Sequence, residues 1–522
     1  MMQKKLLIAV LFTLPVMDLL LHLGDFPFLI GSAYTDLAVS HYPNGLFIQQ
    51  ALLHWKTIPI WSPLILSGYP FAANPLSGLF YLPGWLALPF PLPLGFNLSL
   101  ALHLVWGGAG MFLLLRKEGL SEVAALLGGL AFEAMPKLFS HIGAGHLTLV
   151  YAVAWTPWLL YAERGAATSR VMRWFLPGVV LGIIAAADIR WVPYAGSLWI
   201  LDSACRWLAE RKAAGTRAGG PAAAFWIWLG ARGANLMVAV MIAAPLLLPL
   251  MEYTRLSTRS QMSPQDNLTL SMSPGQFFGL VYPPIGGTAE WMLYPGAAVL
   301  ALTLYAAAAP AARRKASFWL AGILATLLLA MGSYLPFMGV IARLPGMDLL
   351  RVPPRALFLT GFCFAVTAAI GLQTLLENWN VEINPVRDRS ALVLFGAAAF
   401  VVLFAGLAAF TVHATLPRIQ FAWGGLAFLA AVAALLAGRA KKLPPGLLAT
   451  LLLIFCLVDE IGAGNVSLVF RPAGQVLSTG SAAAAYIKGI AGDSPFRVYS
   501  PSYSIPQQTA ASFGLQLADG VD

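Results

Sequence analysis

Asp36 stands in SAYTDLAVSHYPNG, one acid among polar and aromatic neighbours, near the start of a segment running from Gly24 to Phe96. A carboxylate held in such a segment can take a proton from a hydroxyl. It reads equally as a helix N-cap or a solvated loop acid. Farther on, MPKLFSHIGAGHLTLV carries Lys137, His141 and His146 in an expected short turn between apolar stretches. Two histidines flanking a Gly-containing turn can bind a metal or a phosphate, and are also common at membrane interfaces. No cysteine or third histidine stands nearby to complete a zinc site. LPGMDLLRVPPRALF places Arg351 and Arg355 at the edge of another apolar stretch, with Pro353 and Pro354 fixing the backbone between them. Guanidinium clamps phosphate well, although arginine at a membrane edge also snorkels. Asp188 and Arg190 in AADIRW, and Glu290 in GTAEWMLYPG, are loop-edge charges of the same kind.

The elements that must hold these residues follow from composition. The chain is 59% hydrophobic and 10% charged, with mean hydropathy +0.75. Soluble domains carry about 25% charged residues, so this is an all-α polytopic membrane protein. Hydropathy gives about thirteen spans, near 6–23, 97–115, 121–136, 147–162, 174–187, 191–205, 234–252, 295–309, 317–335, 355–376, 391–412, 421–437 and 445–459. MMQKK followed by an apolar core imitates a signal peptide, but no small-residue cleavage site follows. The first span is therefore expected to be retained, with Asp18 and His22 turned to protein or the surface.

Charge orients the spans. With the N-terminus in the cytoplasm, the inner side collects 20 of the 32 basic residues, including Arg116, Lys117, Arg170, Arg217, Arg313, Arg314, Arg387 and Arg439. It collects only 8 of the 22 acids. The positive-inside rule then puts the 24–96 loop outside. The net charge of +10 belongs to this asymmetry and gives no reason to expect nucleic acid. Cysteine labelling is expected to find positions near Asn74 and Asn267 outside, and positions near Gly215 and Arg314 inside. The inner loops contain no nucleotide-binding motif, which argues against an ATP-driven transporter and against a cytosolic nucleotide-sugar donor. Chemistry is expected outside.

Within the 24–96 loop, Gly45–Lys56 has helical spacing. Leu46, Ile48, Leu52 and Trp55 would face the membrane interface, and Gln49, Gln50 and Lys56 water. PIWSPLILSGYPFAANPLSGLFYLPGW is too proline-rich for a span and too apolar for a free linker. Cys205, Cys363 and Cys456 sit in apolar spans, so a disulfide is not expected. The Asn-x-Ser/Thr triplets at Asn97, Asn267 and Asn465 read as chance. The expected organisation is a membrane domain at 1–460 and an extracytoplasmic segment at 461–522. In the latter, Ala482–Ile490 reads as a helix and Phe496–Tyr499 as a strand, the start of an α/β unit. The segment is expected either to be the opening of a larger domain, poorly ordered beyond about Ser500, or to pack against the outer loops.

The order of these pieces resembles the YfhO-like family of bacterial membrane proteins, within the GT-C glycosyltransferase superfamily. The residues that carry the resemblance are Asp36 with HYPNG, 59–75, LFYLPGW (79–85), AGH (144–146), PW (157–158), RVPPR (351–355) and FRVYSPSYSIP (496–506). The resemblance implies a GT-C-like fold in the bacterial cytoplasmic (inner) membrane. It implies transfer of a sugar from a polyprenyl-phosphate donor to an envelope glycan, lipid or protein acceptor. An acid in the first outer loop, here Asp36, would be central. Many members carry two acids there; Tyr34 and Leu37 surround a single one here, and a divalent cation stays open as cofactor. Lys137, His141, His146, Asp188, Arg190, Glu290, Arg351 and Arg355 would then bind substrate or phosphate. Asp36, His146, Arg351 and Arg355 are expected to line one outward cavity. The rival readings are a flippase for lipid-linked glycans and a non-catalytic partner in envelope assembly. The flippase reading explains the spans, but not the long early loop.

Overall fold

The computed structural model describes residues 2–166, 169, 171–214, 221–257, 263–284, 287–341, 343, 351–379, 389–411, 415–491 and 496–520. Arg170, Arg217, Arg387 and the linker centre around Gly215 lie outside them. Seven helices among the described residues are long and apolar enough to cross a membrane. They are Leu94–Lys117, Glu122–Ala144, Ala222–Leu256, Pro310–Tyr334, Pro353–Glu377, Ile419–Arg439 and Pro445–Asn465. Shorter apolar helices cover Met172–Ala187, Ala297–Ala308 and Ser390–Phe404. The protein is a multi-pass membrane protein. Two expected spans are broken helices. The first divides into Met2–Thr13 and Met17–Leu21, with Pro15 in the break, where a ring without N–H interrupts the ladder. The fourth divides into Leu147–Ala154 and Thr156–Ala166, with Pro157 in the first turn of the second piece.

The chain forms two units. The first comprises Met1–Val16, Leu104–Ser140 and Ser263–Ser467. Leu357–Glu377 is its inner helix, buried along most of its length. Gly371 lets it approach its neighbour: a Cβ there would lie 2.5 Å from the Leu302 carbonyl oxygen. Small residues give membrane helices this closeness in place of a hydrophobic drive. Pro445–Asn465 runs past its expected end, so Asp459 and Glu460 lie inside the helix. Asp459 accepts from the Tyr294 hydroxyl, the Trp423 indole and the Ala297 amide, which is what a carboxylate needs in that setting.

The second unit comprises Met17–His103, His141–Met262 and Leu468–Asp522. The part built from the first long loop and the tail, here called its outer part after the expected orientation, is a folded element. Strand β1 (Asp25–Leu29) pairs antiparallel with β2 (Leu468–Pro472), Pro27 opposite Phe470. The Asn97 amide, fully buried, donates to the carbonyls of His22, Leu23 and Asp25 and fixes the entry to β1. A continuous helix then runs from Leu37 to Trp55, π-type at both ends. Phe47, Ile48, Tyr69, Phe71 and Leu79 of the loop share one core with Ala484, Ile505, Ala510, Leu515 and Leu517 of the tail. The expected surface helix is thus partly a core helix. Ile48 is buried, and Gln49 donates to the Leu88 and Phe90 carbonyls instead of to water. In the tail, the helix is Ser481–Ala491. The expected strand at Phe496–Tyr499 is reduced to a single bridge, Val498 to Leu517.

Candidate active site

In the second unit, Asp36 occupies the residue before the π-helix Leu37–His41, yet its carboxylate makes no capping bond. A π-type opening is rare and tends to occur at functional positions. The carboxylate is instead turned to other groups and remains 29% exposed. Tyr34 hydrogen-bonds to it, and the Tyr34 phenol titrates above its ordinary range. Burial is the main cause, followed by the charge of Asp36 and then that hydrogen bond. His146 Nε2 lies 3.5 Å from Asp36 Oδ2.

His141 and His146 were expected in a turn. Instead His141 is fully buried on the helix Pro136–Ala144, and His146 sits just before Leu147–Ala154. Pro136 suits the first position of a helix, and Gly145 at φ +83° breaks the chain after it. The two Nδ1 atoms are 2.8 Å apart, so one must carry a proton and the other accept. Of the two neutral arrangements, the one that turns an N–H rather than a lone pair toward the Asp36 carboxylate has His141 Nδ1–H donating to His146 Nδ1. His146 then keeps its proton on Nε2, facing Asp36. A carboxylate with a directed N–H on one oxygen and a phenol beside it is held in one orientation with lone pairs left for an incoming hydroxyl. Among these groups His141 and His146 could ligate a cation. Binding through both Nδ1 atoms would break the bond between them.

His41, outside the expected site residues, lies in the same electrostatic neighbourhood and is buried. Burial pushes its imidazole down to about 4; Asp36 and Asp188 oppose this, while Arg190 and His146 add to it. The signal available in the sequence was its place in HYPNG, in the first turns after Asp36. Asp188 and Arg190 are not separate loop charges. Asp188 is buried and accepts from the Arg190 backbone at 3.0 Å, Nε at 2.8 Å and Nη2 at 2.5 Å. The Thr148 hydroxyl also donates to it, at 3.1 Å. Arg190, 30% exposed, is therefore a rigidly presented guanidinium.

In the first unit, Lys137, Glu290 and Arg355 come together. Lys137 is buried, donates to the Glu290 carbonyl at 2.9 Å and lies over the Phe358 ring. Arg355 Nε donates to Glu290 Oε1 at 3.2 Å. Lys137 was expected in a short turn and Glu290 at a loop edge; both are interior instead, because each has a partner distant in sequence to bury against. Arg351 is exposed, in the loop that Val352 ties to the Asn267 carbonyl.

No protein-family model matches this chain, and no curated protein matches it by sequence. Solved structures share its fold. The crystal structure of ArnT from Cupriavidus metallidurans bound to undecaprenyl phosphate superposes with TM-score 0.52 at 16% identity, over 98% of this chain and 85% of that one. The cryo-EM structure of the arabinofuranosyltransferase AftD from Mycobacteria gives 0.51 at 14% identity, over 99% of this chain but only 32% of that one. At these identities the likeness is one of fold: the chain shares the fold of ArnT and of about a third of AftD.

Proposed function

We propose that this chain is a membrane glycosyltransferase of the YfhO-like kind, using a polyprenyl-phosphate sugar outside the cytoplasm of a bacterium. One observation carries the reading: Asp36 is a part-open carboxylate, oriented by Tyr34 and His146, in the first long loop of a GT-C-like fold. The solved ArnT structure holds undecaprenyl phosphate, the class of lipid proposed here as donor carrier. The acceptor hydroxyl oxygen bonds to the anomeric carbon. The bond from that carbon to the phosphate oxygen breaks, and its electron pair leaves with the phosphate. The hydroxyl proton passes to Asp36. Arg190 is suited to the developing phosphate charge, and Arg351 and Arg355 are proposed to serve the same reaction. The phosphate is its own leaving group, so no cytosolic nucleotide is called for. The thirteen-span count, the cytoplasmic N-terminus and the inner-membrane location are part of this proposal.

The test uses the full chain in nanodiscs with a panel of labelled polyprenyl-phosphate sugars and envelope acceptors. Wild type transfers label, and Asp36→Asn lowers kcat about 10²–10⁴-fold, the usual worth of a general base. Transfer unchanged in Asp36→Asn removes Asp36 from the chemistry. Lipid-linked glycan crossing the bilayer without any transfer favours a flippase.

A further inference from the structure

Beside Asp36, the outer part of the second unit encloses a cavity of about 380 Å³, within the range of small-molecule sites. Two distant stretches of chain build it. Phe28, Tyr34 and Thr35 come from the first loop; Arg471, Tyr503 and Gln508 come from the tail. Arg471 is anchored: one Nη donates to the Ser32 carbonyl at 2.6 Å, and the guanidinium lies 4.1 Å from the centre of the Phe28 ring. The Gln508 side chain, on the helix Gln507–Ser512, is nine-tenths buried, and its Oε1 has no hydrogen-bond partner. Thr35 is wholly buried, and its Oγ1 has none either. Buried polar atoms are normally satisfied, so the Gln508 amide oxygen on the cavity wall marks a place that a ligand can fill, whereas the Thr35 hydroxyl packs toward Gly145. Tyr34 joins the cavity to the chemistry, because it lines the wall and hydrogen-bonds to Asp36.

We infer that this cavity is the acceptor subsite and that the acceptor is a glycan, bound through neutral sugar hydroxyls. The inference rests on the glycosyl-transfer reading above and names its second substrate. Amide, hydroxyl and phenol groups exchange hydrogen bonds with sugar hydroxyls, and Tyr34 and Tyr503 offer rings to the C–H face of a pyranose. A lipid chain would leave those polar groups unsatisfied. A single serine or threonine side chain of a protein acceptor would not fill the volume. A sugar seated here presents a hydroxyl toward the Tyr34 side of the cavity, where Asp36 takes its proton as the oxygen attacks the donor.

The experiment uses the full chain in nanodiscs and a panel of labelled neutral di- and trisaccharides. Binding is measured without donor, and KM for each substrate is measured with it. Wild type is expected to bind at least one probe. Gln508→Leu should weaken that binding, and raise its KM, about fivefold, the usual loss for one neutral hydrogen bond. Donor KM should stay unchanged. Tyr503→Ala, at a partly exposed position that tolerates truncation, should weaken binding without altering the melting temperature. No binding of any probe by wild type overturns the inference. So do variants with wild-type acceptor KM, or variants that raise donor KM equally. Probe binding without transfer by wild type would keep the subsite and remove the enzyme reading. Transfer to lipid or peptide acceptors, unaffected by these variants, would do the reverse.

Discussion

His41 gives the residue scale a measurable consequence. In the unfolded chain its imidazole titrates near 6.5, and in the folded protein near 4, because it is buried. Between those values the unfolded state binds the extra proton, so stability rises with pH. The contribution is complete above about pH 6.5 and is lost as pH falls toward about 4, the loss being roughly 2 kcal/mol at about pH 5. Wild type should therefore melt lower at about pH 5 than at neutral pH, and His41→Gln should flatten that difference. An equal slope in both proteins would show that His41 does not titrate as its burial requires. Asp36 was legible in the sequence as an acid in an unusual loop. Its partners were less so. Tyr34 sits two residues away and was visible as a neighbour, whereas His146 is brought in by the fold. His41 was missed because a histidine in an amphipathic stretch gives no sign of being sealed from water.

At the scale of elements, Gly145 is where the histidine segment meets the loop that carries Asp36. It holds φ +83°, and a Cβ there would lie 2.1 Å from the Leu37 amide nitrogen and 2.6 Å from that of Asp36. Gly145→Ala should cost about 1–2 kcal/mol from the left-handed backbone alone. It should also displace the Asp36 backbone, and misplacement of about 1 Å can cost about 10²-fold in rate. The expected result is a kcat loss much larger than the fall in melting temperature suggests; a stable variant with full kcat would contradict it. Asn97 makes the complementary case. Its triplet reads as a chance glycosylation signal, and burial makes it a structural clamp on three carbonyls. Asn97→Leu should destabilise by about 1–3 kcal/mol, the cost of stranding buried acceptors, read as a lower melting temperature. The helix within 45–56 was legible from its spacing, but its faces were not. Spacing tells which residues share a side, not whether lipid, water or another part of the chain covers it. Ala484, Ile505, Ala510, Leu515 and Leu517 cover this one.

On the scale of the whole molecule, composition made the membrane class plain, and the pairing of β1 with β2 was invisible. Five residues after the last long helix join five near the start, more than 400 positions away, with no local pattern to announce it. Helix breaks at Pro15 and Trp155 show the same limit, since hydropathy averages over interruptions that backbone geometry decides. What the sequence does carry at this scale is orientation, through the clustering of basic residues in alternate loops. That clustering is the ground for placing Asp36 outside, and it can be tested within the second unit alone. Leu82 is 66% exposed and lies in the first long loop, and Lys212 is exposed near the end of the helix Val192–Ala214, in the basic stretch expected inside. Cys205 is the exposed native thiol, so it is first replaced by serine; Cys363 and Cys456 are buried. A membrane-impermeant maleimide should then label Leu82→Cys in intact cells, and Lys212→Cys only after the inner face is opened. The reverse pattern would put Asp36 in the cytoplasm, where a phosphate-linked lipid sugar facing outward could not reach it, and the proposed base would be on the wrong side of its substrate.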